Sequence, residues 1–160
     1  MKKAIALLLA LVMVFALCAC GGDKGTADNG EKVVKIGVFE PASGDSGAGG
    51  KKEMLGMQYA NQETPTVEIG GETYKVELVY SDNGSDSAKA VSAASKLVNE
   101  KVSIVLGSYG SGVSIAASDT FKQAGIPAVG VTCTNPNVTA GNSHYFRICF
   151  LDPFQGTVLA

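Results

Sequence analysis

The chain has no tryptophan and one histidine, His144, among its 160 residues. A single imidazole in a Gly141-Asn142-Ser143 loop cannot build a multi-histidine metal centre, and no G-x-S-x-G elbow supplies a serine for it. It reads as a solvated turn residue. Charge is sparse, at 18% of residues, and forms no basic cluster. Setting Lys2 and Lys3 aside leaves 11 of the 13 basic side chains against 15 acidic ones, a net charge of −4. Phosphate neutralisation needs a Lys/Arg face, so nucleic acid is excluded as a partner. Cysteine is scarce too. Of four, Cys18 and Cys20 stand near the N-terminus, leaving Cys133 and Cys149. Two cysteines at this size make no disulfide-dependent scaffold; they pair only if their strand ends are adjacent, and otherwise serve as small core residues. Carboxylates are scattered singly, and nothing supplies a nucleophile with its base, so the chain reads as a binder and not an enzyme. The sequence calls for no metal and no cofactor.

Long apolar runs are confined to the start of the chain. Behind Lys2-Lys3, the 14 residues Ala4–Leu17 are all apolar, which fits the hydrophobic segment of a secretory signal. A membrane-spanning helix needs about 20 such residues, so a permanent anchor is the weaker reading. The segment closes on Leu17-Cys18-Ala19-Cys20-Gly21, which resembles a bacterial lipobox. That resemblance implies lipidation of Cys20, a signal peptide over 1–19, and a location outside the cytoplasm on the cell membrane. The lipid-modified cysteine of such proteins carries two or more acyl chains, enough for firm anchoring. Residues 20–31 (CGGDKGTADNGE) hold almost nothing apolar and read as a flexible tether.

From Lys32 onward the pattern alternates between strand and helix. Val33–Val38 is short and β-branched, as a buried strand is. A Gly/Ser-rich loop, Pro41–Gly50, precedes a helix over Lys51–Gln62 with Met54, Leu55, Gln58 and Tyr59 at helical spacing. Thr66–Ile69, a Gly70-Gly71 turn and Thr73–Tyr80 read as a hairpin. Asp86 or Ser85 caps a helix over Ser87–Asn99, whose Val91, Ala94 and Val98 share one face. Val102–Leu106 is an apolar run. Ser111 opens a helix carrying Val113, Ala116, Ala117 and Phe121, which Gly125 stops. Ile126–Val131 and Tyr145–Ile148 are further strands, and Pro153 begins another helix. This order predicts an α/β fold, an open, mainly parallel sheet with helices on both faces.

Such sheets bind ligands outside the carboxyl ends of their strands. Here those ends carry Glu40–Gly50, Ser81–Asp86, Gly107–Gly112 and Val131–Asn137, the polar, glycine-rich parts of the chain. Nucleotide motifs fail in them. Asp45–Lys52 (DSGAGGKK) approaches a phosphate loop, but Asp45 replaces its first glycine and Lys52 its Ser/Thr. Gly107–Gly112 carries the glycines of a dinucleotide fingerprint in the wrong order. Asp82 could mimic a ribose-binding acid, or simply hold a turn. Ser111 stands at a helix N-terminus, where free N–H groups favour an anionic oxygen, though its hydroxyl could instead cap its own helix. Thr132, Cys133 and Thr134 leave the next strand on the same edge, and Thr134 could equally begin the Asn135-Pro136 turn. Together these groups suit a zwitterion, with amides and hydroxyls for a carboxylate and carbonyls for an ammonium.

At these residues the chain resembles the first lobe of the branched-chain amino acid transport substrate-binding proteins, type I periplasmic-type binding proteins of ATP-driven importers. The matching pieces are Ile36-Gly37-Val38 with Pro41…Ser43-Gly44, Val76–Asp82 with Ala90-Val91, Gly107…Ser111-Gly112, and Ile126-Pro127. Thr134-Asn135-Pro136-Asn137-Val138-Thr139 and Phe146-Arg147…Asp152…Gln155-Gly156 complete the series. The resemblance implies that Ser111 and Thr134 hold the ligand carboxylate, and that backbone near Gly110, Thr132 and Cys133 helps hold carboxylate and ammonium. It also implies that Tyr109 and the Pro41–Gly50 loop face the ligand side chain. Partners would be a branched-chain or similar amino acid and the permease and ATPase subunits of an ABC importer. Some relatives place an aromatic residue where Gly49 stands, and some bridge the loops at Gly84 and Gly110 by a disulfide. Relatives have two lobes and more than twice this length, so residues 32–152 would be the N-terminal lobe and 153–160 the start of a crossover to a second. The same fold serves sensor ectodomains for amino acids and amides, the competing expectation.

Overall fold

The computed structural model describes residues 31–160; the signal segment, Cys20 and the tether through Gly30 lie outside the described residues. Strand β1 (Val33–Glu40) leads into helix α1 (Gly47–Glu63) and a hairpin of β2 (Thr66–Ile69) and β3 (Glu72–Asp82). Then follow α2 (Ser87–Asn99), β4 (Ile104–Leu106), α3 (Ser111–Gln123), β5 (Ala128–Gly130), a 3-10 turn (Pro136–Val138), β6 (Tyr145–Arg147) and α4 (Asp152–Leu159). The six strands lie in the order β2-β3-β1-β4-β5-β6. Only the β2–β3 hairpin is antiparallel; β1 pairs in parallel with both β3 and β4, and β4–β5–β6 continue in parallel.

Chain path decides which face each helix covers. From β1 the chain crosses through α1 to β3 on one side, and from β3 it crosses back through α2 to β4 on the other. Right-handed crossovers running in opposite directions place their helices on opposite faces of the sheet. Helices α2 and α3 pack together on one face. Under them sits the core of Phe39, Leu97, Val102, Val105, Val113, Ala117, Phe121 and Ala128, with Phe39 edge-on to Phe121 at 5.5 Å between ring centres. Strand alternation then turns Glu40, next to Phe39, toward the α1 face.

Three sequence expectations shift. Helix α1 begins at Gly47, not Lys51, because the Gly47 amide bonds the Gly44 carbonyl and the Gly50 amide the Ser46 carbonyl. Glycines are poor helix formers, yet a side chain at position 50 would put its Cβ 2.2 Å from the Pro41 carbonyl oxygen, so close packing sets the residue type. The residues at helical spacing on that helix do not make a buried face, since Leu55 and Tyr59 are 64% and 65% exposed. On α2 the buried stripe is Ala90, Ala93, Ala94 and Leu97, while Val91 is exposed. Small alanines let α2 approach α3 closely, and that contact decides the helix rotation. Asp86 caps α2 as expected, accepting from the Ala88 amide at 2.8 Å. Cys133 is buried and Cys149 half-buried, and the two are unpaired.

Candidate functional site

The carboxyl ends of β1, β3, β4 and β5 form one edge, and side chains at their tips tie the loops together. At the β3 tip, Asp82 accepts hydrogen bonds from the Ala42 amide (2.8 Å), the Ser43 hydroxyl (2.7 Å) and the Gly84 amide (2.8 Å). Partial desolvation opposes its ionisation, but the Ser43 hydroxyl and the Gly84, Ala42 and Ser43 amides outweigh it and hold its carboxyl below the usual range. Ser85 adds a second tie, its hydroxyl donating to the Ser43 carbonyl and accepting from the Ser46 amide. Asp82 is therefore a turn organiser. The loops after β1 and β3 are held together by this network.

Asn83 links the next pair of tips. Its side-chain amide donates to the Ser108 hydroxyl at 3.0 Å and to the Phe39 carbonyl, all in the buried floor of the edge. Gly107, with φ of +113°, sits so close to β1 that a Cβ there would lie 2.3 Å from the Phe39 carbonyl oxygen. Only glycine fits that backbone and that approach.

Ser111 occupies the first turn of α3 and does not cap its own helix. Its hydroxyl accepts from the Asn135 amide at 3.2 Å and so ties the helix start to the loop that follows β5. That loop is held from below by Arg147 at the end of β6. Its guanidinium donates to the carbonyls of Cys133 (3.0 Å), Asn135 (2.9 Å) and Pro136 (3.2 Å) and to the Thr139 hydroxyl (2.8 Å). Five N–H donors in a rigid fork suit such a cluster of carbonyls. Asn135 caps the 3-10 turn by accepting from the Asn137 amide, so the turn begins there and not at Thr134. Thr134 is half-buried; its carbonyl accepts from the Asp152 amide, and its hydroxyl has no hydrogen bond among the described residues. A small cleft of about 180 Å³ opens beside Ser111, lined by Pro41, Ser46, Ser85, Gly110, Gly112 and Val113 among others.

The remaining sequence-chosen residues divide. Tyr109 is 42% exposed, with its ring over Gly49, where a Cβ would come within 2.5 Å of ring carbons. The Tyr109 ring thus occupies the space above position 49. The Thr132 hydroxyl lies 2.5 Å from the Glu53 carboxylate and 3.3 Å from the Tyr109 carbonyl. Gly110 accepts at its carbonyl from the Ser114 amide and hydroxyl in the first turn of α3. Cys133 is fully buried, and its carbonyl is taken by Arg147, so its thiol does not reach the edge; burial pushes that thiol up.

Sequence reasoning missed one pair. Carboxylates expected to stand singly are brought together by the fold. Glu40, 1% exposed, meets Glu53 of α1 within hydrogen-bonding reach. Burial, reinforced by the hydrogen bond and charge of Glu53, pushes Glu40 up to about 9, against the pull of the Tyr109 amide. The available signal was a glutamate ending a strand whose preceding residues are all apolar or glycine from Ile36. Among the described residues no group of three or more His, Cys, Asp or Glu is placed to hold a metal, and no helix is long and apolar enough to cross a membrane.

A doubly covered parallel sheet with polar, hydroxyl-bearing strand tips defines a class, the ligand-binding lobes of α/β solute-binding proteins. The profile of the family described as periplasmic binding protein matches residues 33–157, and this chain belongs to that family. It is 33% identical over 148 residues to Leu/Ile/Val-binding protein homolog 2 of Brucella abortus, covering 92% of this chain and 38% of the relative. It is 36% identical over 128 residues to an amino acid binding protein of Pseudomonas aeruginosa, covering 78% of this chain and 34% of that protein. Among solved structures, the leucine-binding protein LivK of Thermotoga maritima superposes with a TM-score of 0.73 at 38% identity over 79% of this chain and 35% of its own. LivJ of Streptococcus pneumoniae, a branched-chain amino acid transporter substrate-binding protein solved with isoleucine, gives 0.72 at 33% identity, over 80% of this chain and 37% of its own. The chain therefore spans little more than a third of the length of these relatives. Family membership makes it a binding protein, not an enzyme, of an extracytoplasmic class.

Proposed function

We propose that residues 32–152 form the N-terminal lobe of a lipid-anchored solute-binding protein of an ABC importer, which takes a branched-chain or related amino acid and delivers it to the permease. Residues 153–160 start the crossover to a second lobe, and Cys20 carries the lipid. In this reading the Ser111 hydroxyl and the α3 amides meet the ligand carboxylate together with Thr134, and backbone groups near Thr132 and Gly110 help hold the carboxylate and the ammonium. Tyr109 borders the side chain. One observation carries the reading: the Ser111–Asn135 hydrogen bond locks the start of α3 to the loop bearing Thr132–Thr134. Donors from two adjacent strand ends thereby converge beside an amide-rich helix start, and one of them, the Thr134 hydroxyl, has no partner of its own among the described residues.

Amide-detected NMR titration with leucine tests this. The expected outcome is movement of the Gly110–Gly112 and Thr132–Thr134 amides, lost in the Ser111→Ala, Thr134→Ala double variant. Movement confined to other parts of the lobe, or unchanged in the double variant, would sink the site assignment. Metabolic labelling with a radioactive fatty acid, with Cys20→Ala as the control, tests the anchor. Label in the parent and none in the variant is the expected result.

A further inference from the structure

We infer that Glu40 and Glu53 share one proton beneath the crevice edge and act together as positioning residues for Tyr109 and Thr132. The argument is a count of donors and acceptors. Glu40 Oε2 accepts from the Tyr109 amide at 2.8 Å, and Glu53 Oε1 lies 2.5 Å from the Thr132 hydroxyl. The two other oxygens, Glu40 Oε1 and Glu53 Oε2, are buried and have no donor from the rest of the protein. The two carboxyls are nonetheless brought to one place: Glu40 holds the Tyr109 amide, and Glu53 holds the Thr132 hydroxyl that also lies 3.3 Å from the Tyr109 carbonyl.

One proton on Glu40 Oε1, donated to Glu53 Oε2, satisfies both orphaned oxygens. The chain of donors then runs from the Tyr109 N–H to Glu40, from the Glu40 O–H to Glu53, and from the Thr132 O–H to Glu53. With no proton, two buried carboxylates face each other, an arrangement that like charges at contact do not sustain. With two protons, Glu53 no longer offers the Thr132 hydroxyl a charged acceptor. One proton is the count that leaves every group partnered.

Among the described residues, no cation competes for this role. From α1, the Lys51 and Lys52 side chains are exposed. From β6, Arg147 is committed to the carbonyls of the 133–136 loop, and the Tyr145 hydroxyl donates to the Gly107 carbonyl. From the loop after β5, Cys133 is buried against Gly130. Burial of Glu40 and its raised pKa agree with a retained proton. The pair joins the tip of β1 to α1, and through Thr132 and Tyr109 it reaches the tips of β5 and β4. Losing the proton drives Glu53 away from Glu40 and releases the two residues that border the crevice. The consequence for a ligand rests on the binding reading above; the proton itself does not.

Infrared spectroscopy of the ligand-free chain, with glutamate labelled in carbon-13, tests the proton. The expected result at neutral pH is a protonated-carboxyl band that shifts with the label and is absent from both Glu40→Gln and Glu53→Gln. No such band in the wild type, or a band that persists in both variants, overturns the proposal. The wild-type spectrum decides even if a variant does not fold. Amide NMR tests the positioning: the Tyr109 amide should titrate with the same midpoint as the pair, with the midpoint moved in Glu53→Gln and the titration gone in Glu40→Gln. A Tyr109 amide that ignores the pair's titration overturns the positioning role. Neither measurement uses leucine, so a failed leucine titration would count against the ligand reading alone.

Discussion

Gly49 and Tyr109 show how one residue choice constrains another. Alanine within a helix is favoured over glycine by about 0.5–1 kcal/mol. At position 49 the added carbon would lie 2.5 Å from the Tyr109 ring, so the gain is spent on moving the ring. Gly49→Ala is expected to stabilise the chain by that amount only in a Tyr109→Ala background, and to lose the gain when the ring is present. Denaturant unfolding of the four proteins of this cycle gives the coupling directly. Glu40 supplies a pH prediction at the same scale. The folded chain keeps its proton to about pH 9, while the unfolded chain releases it near the ordinary glutamate value of 4.5. Between these values the folded state binds more protons than the unfolded state, so stability falls as pH rises. Glu40→Gln should flatten that slope, as read from urea midpoints at about pH 5 and about pH 9.

Elements inherit their positions from such contacts. The loops after β1 and β3 have no apolar reason to stay together; Asp82 and Ser85 hold them by hydrogen bonds to Ala42, Ser43, Gly84 and Ser46. Asp82→Ala should cost about 1–2 kcal/mol in urea unfolding, the net worth of a few exposed, charge-assisted bonds. Because its folded pKa is lowered, its contribution is present above the ordinary aspartate range and lost as pH falls through the folded value. Asp82→Asn should therefore weaken the acid-side loss of stability. Most elements were legible in the residues. The hairpin, the Asp86 cap and the Ser111 helix start follow from turn chemistry and period, which are local. The start of α1 was not legible, since Gly47, Gly49 and Gly50 argue against a helix until their packing on Ala42, Tyr109 and Pro41 is known.

Over the whole molecule, burial is uneven. The α2–α3 face holds the core, whereas α4 keeps Phe154, Val158 and Leu159 exposed around an apolar hollow of about 190 Å³ that Phe150 also lines. Side chains that bury nothing contribute little, so Phe154→Ser with Val158→Ser should change unfolding stability by no more than about 0.5 kcal/mol. A larger loss would mean that α4 packs more tightly than its exposure indicates. Of the candidate site, Ser111, Thr132 and Thr134 were legible as polar groups at strand ends. The partners of Ser111 and Thr132 were not, because Asn135 and Glu53 come from elements whose relative placement no local pattern encodes.

Composition and period alone settled the mainly parallel α/β class, and they gave as expectations a ligand at the strand-tip edge and no nucleic-acid partner. These depend on alternation along a single segment and on charge totals, both readable in one dimension. The tertiary structure decided that Glu40 meets Glu53, that the Tyr109 ring lies over Gly49, and that the Ser111 hydroxyl serves the neighbouring loop. Each of those contacts joins segments far apart in the chain. Strand order, register and the opposite-facing crossovers must be set before the side chains can meet.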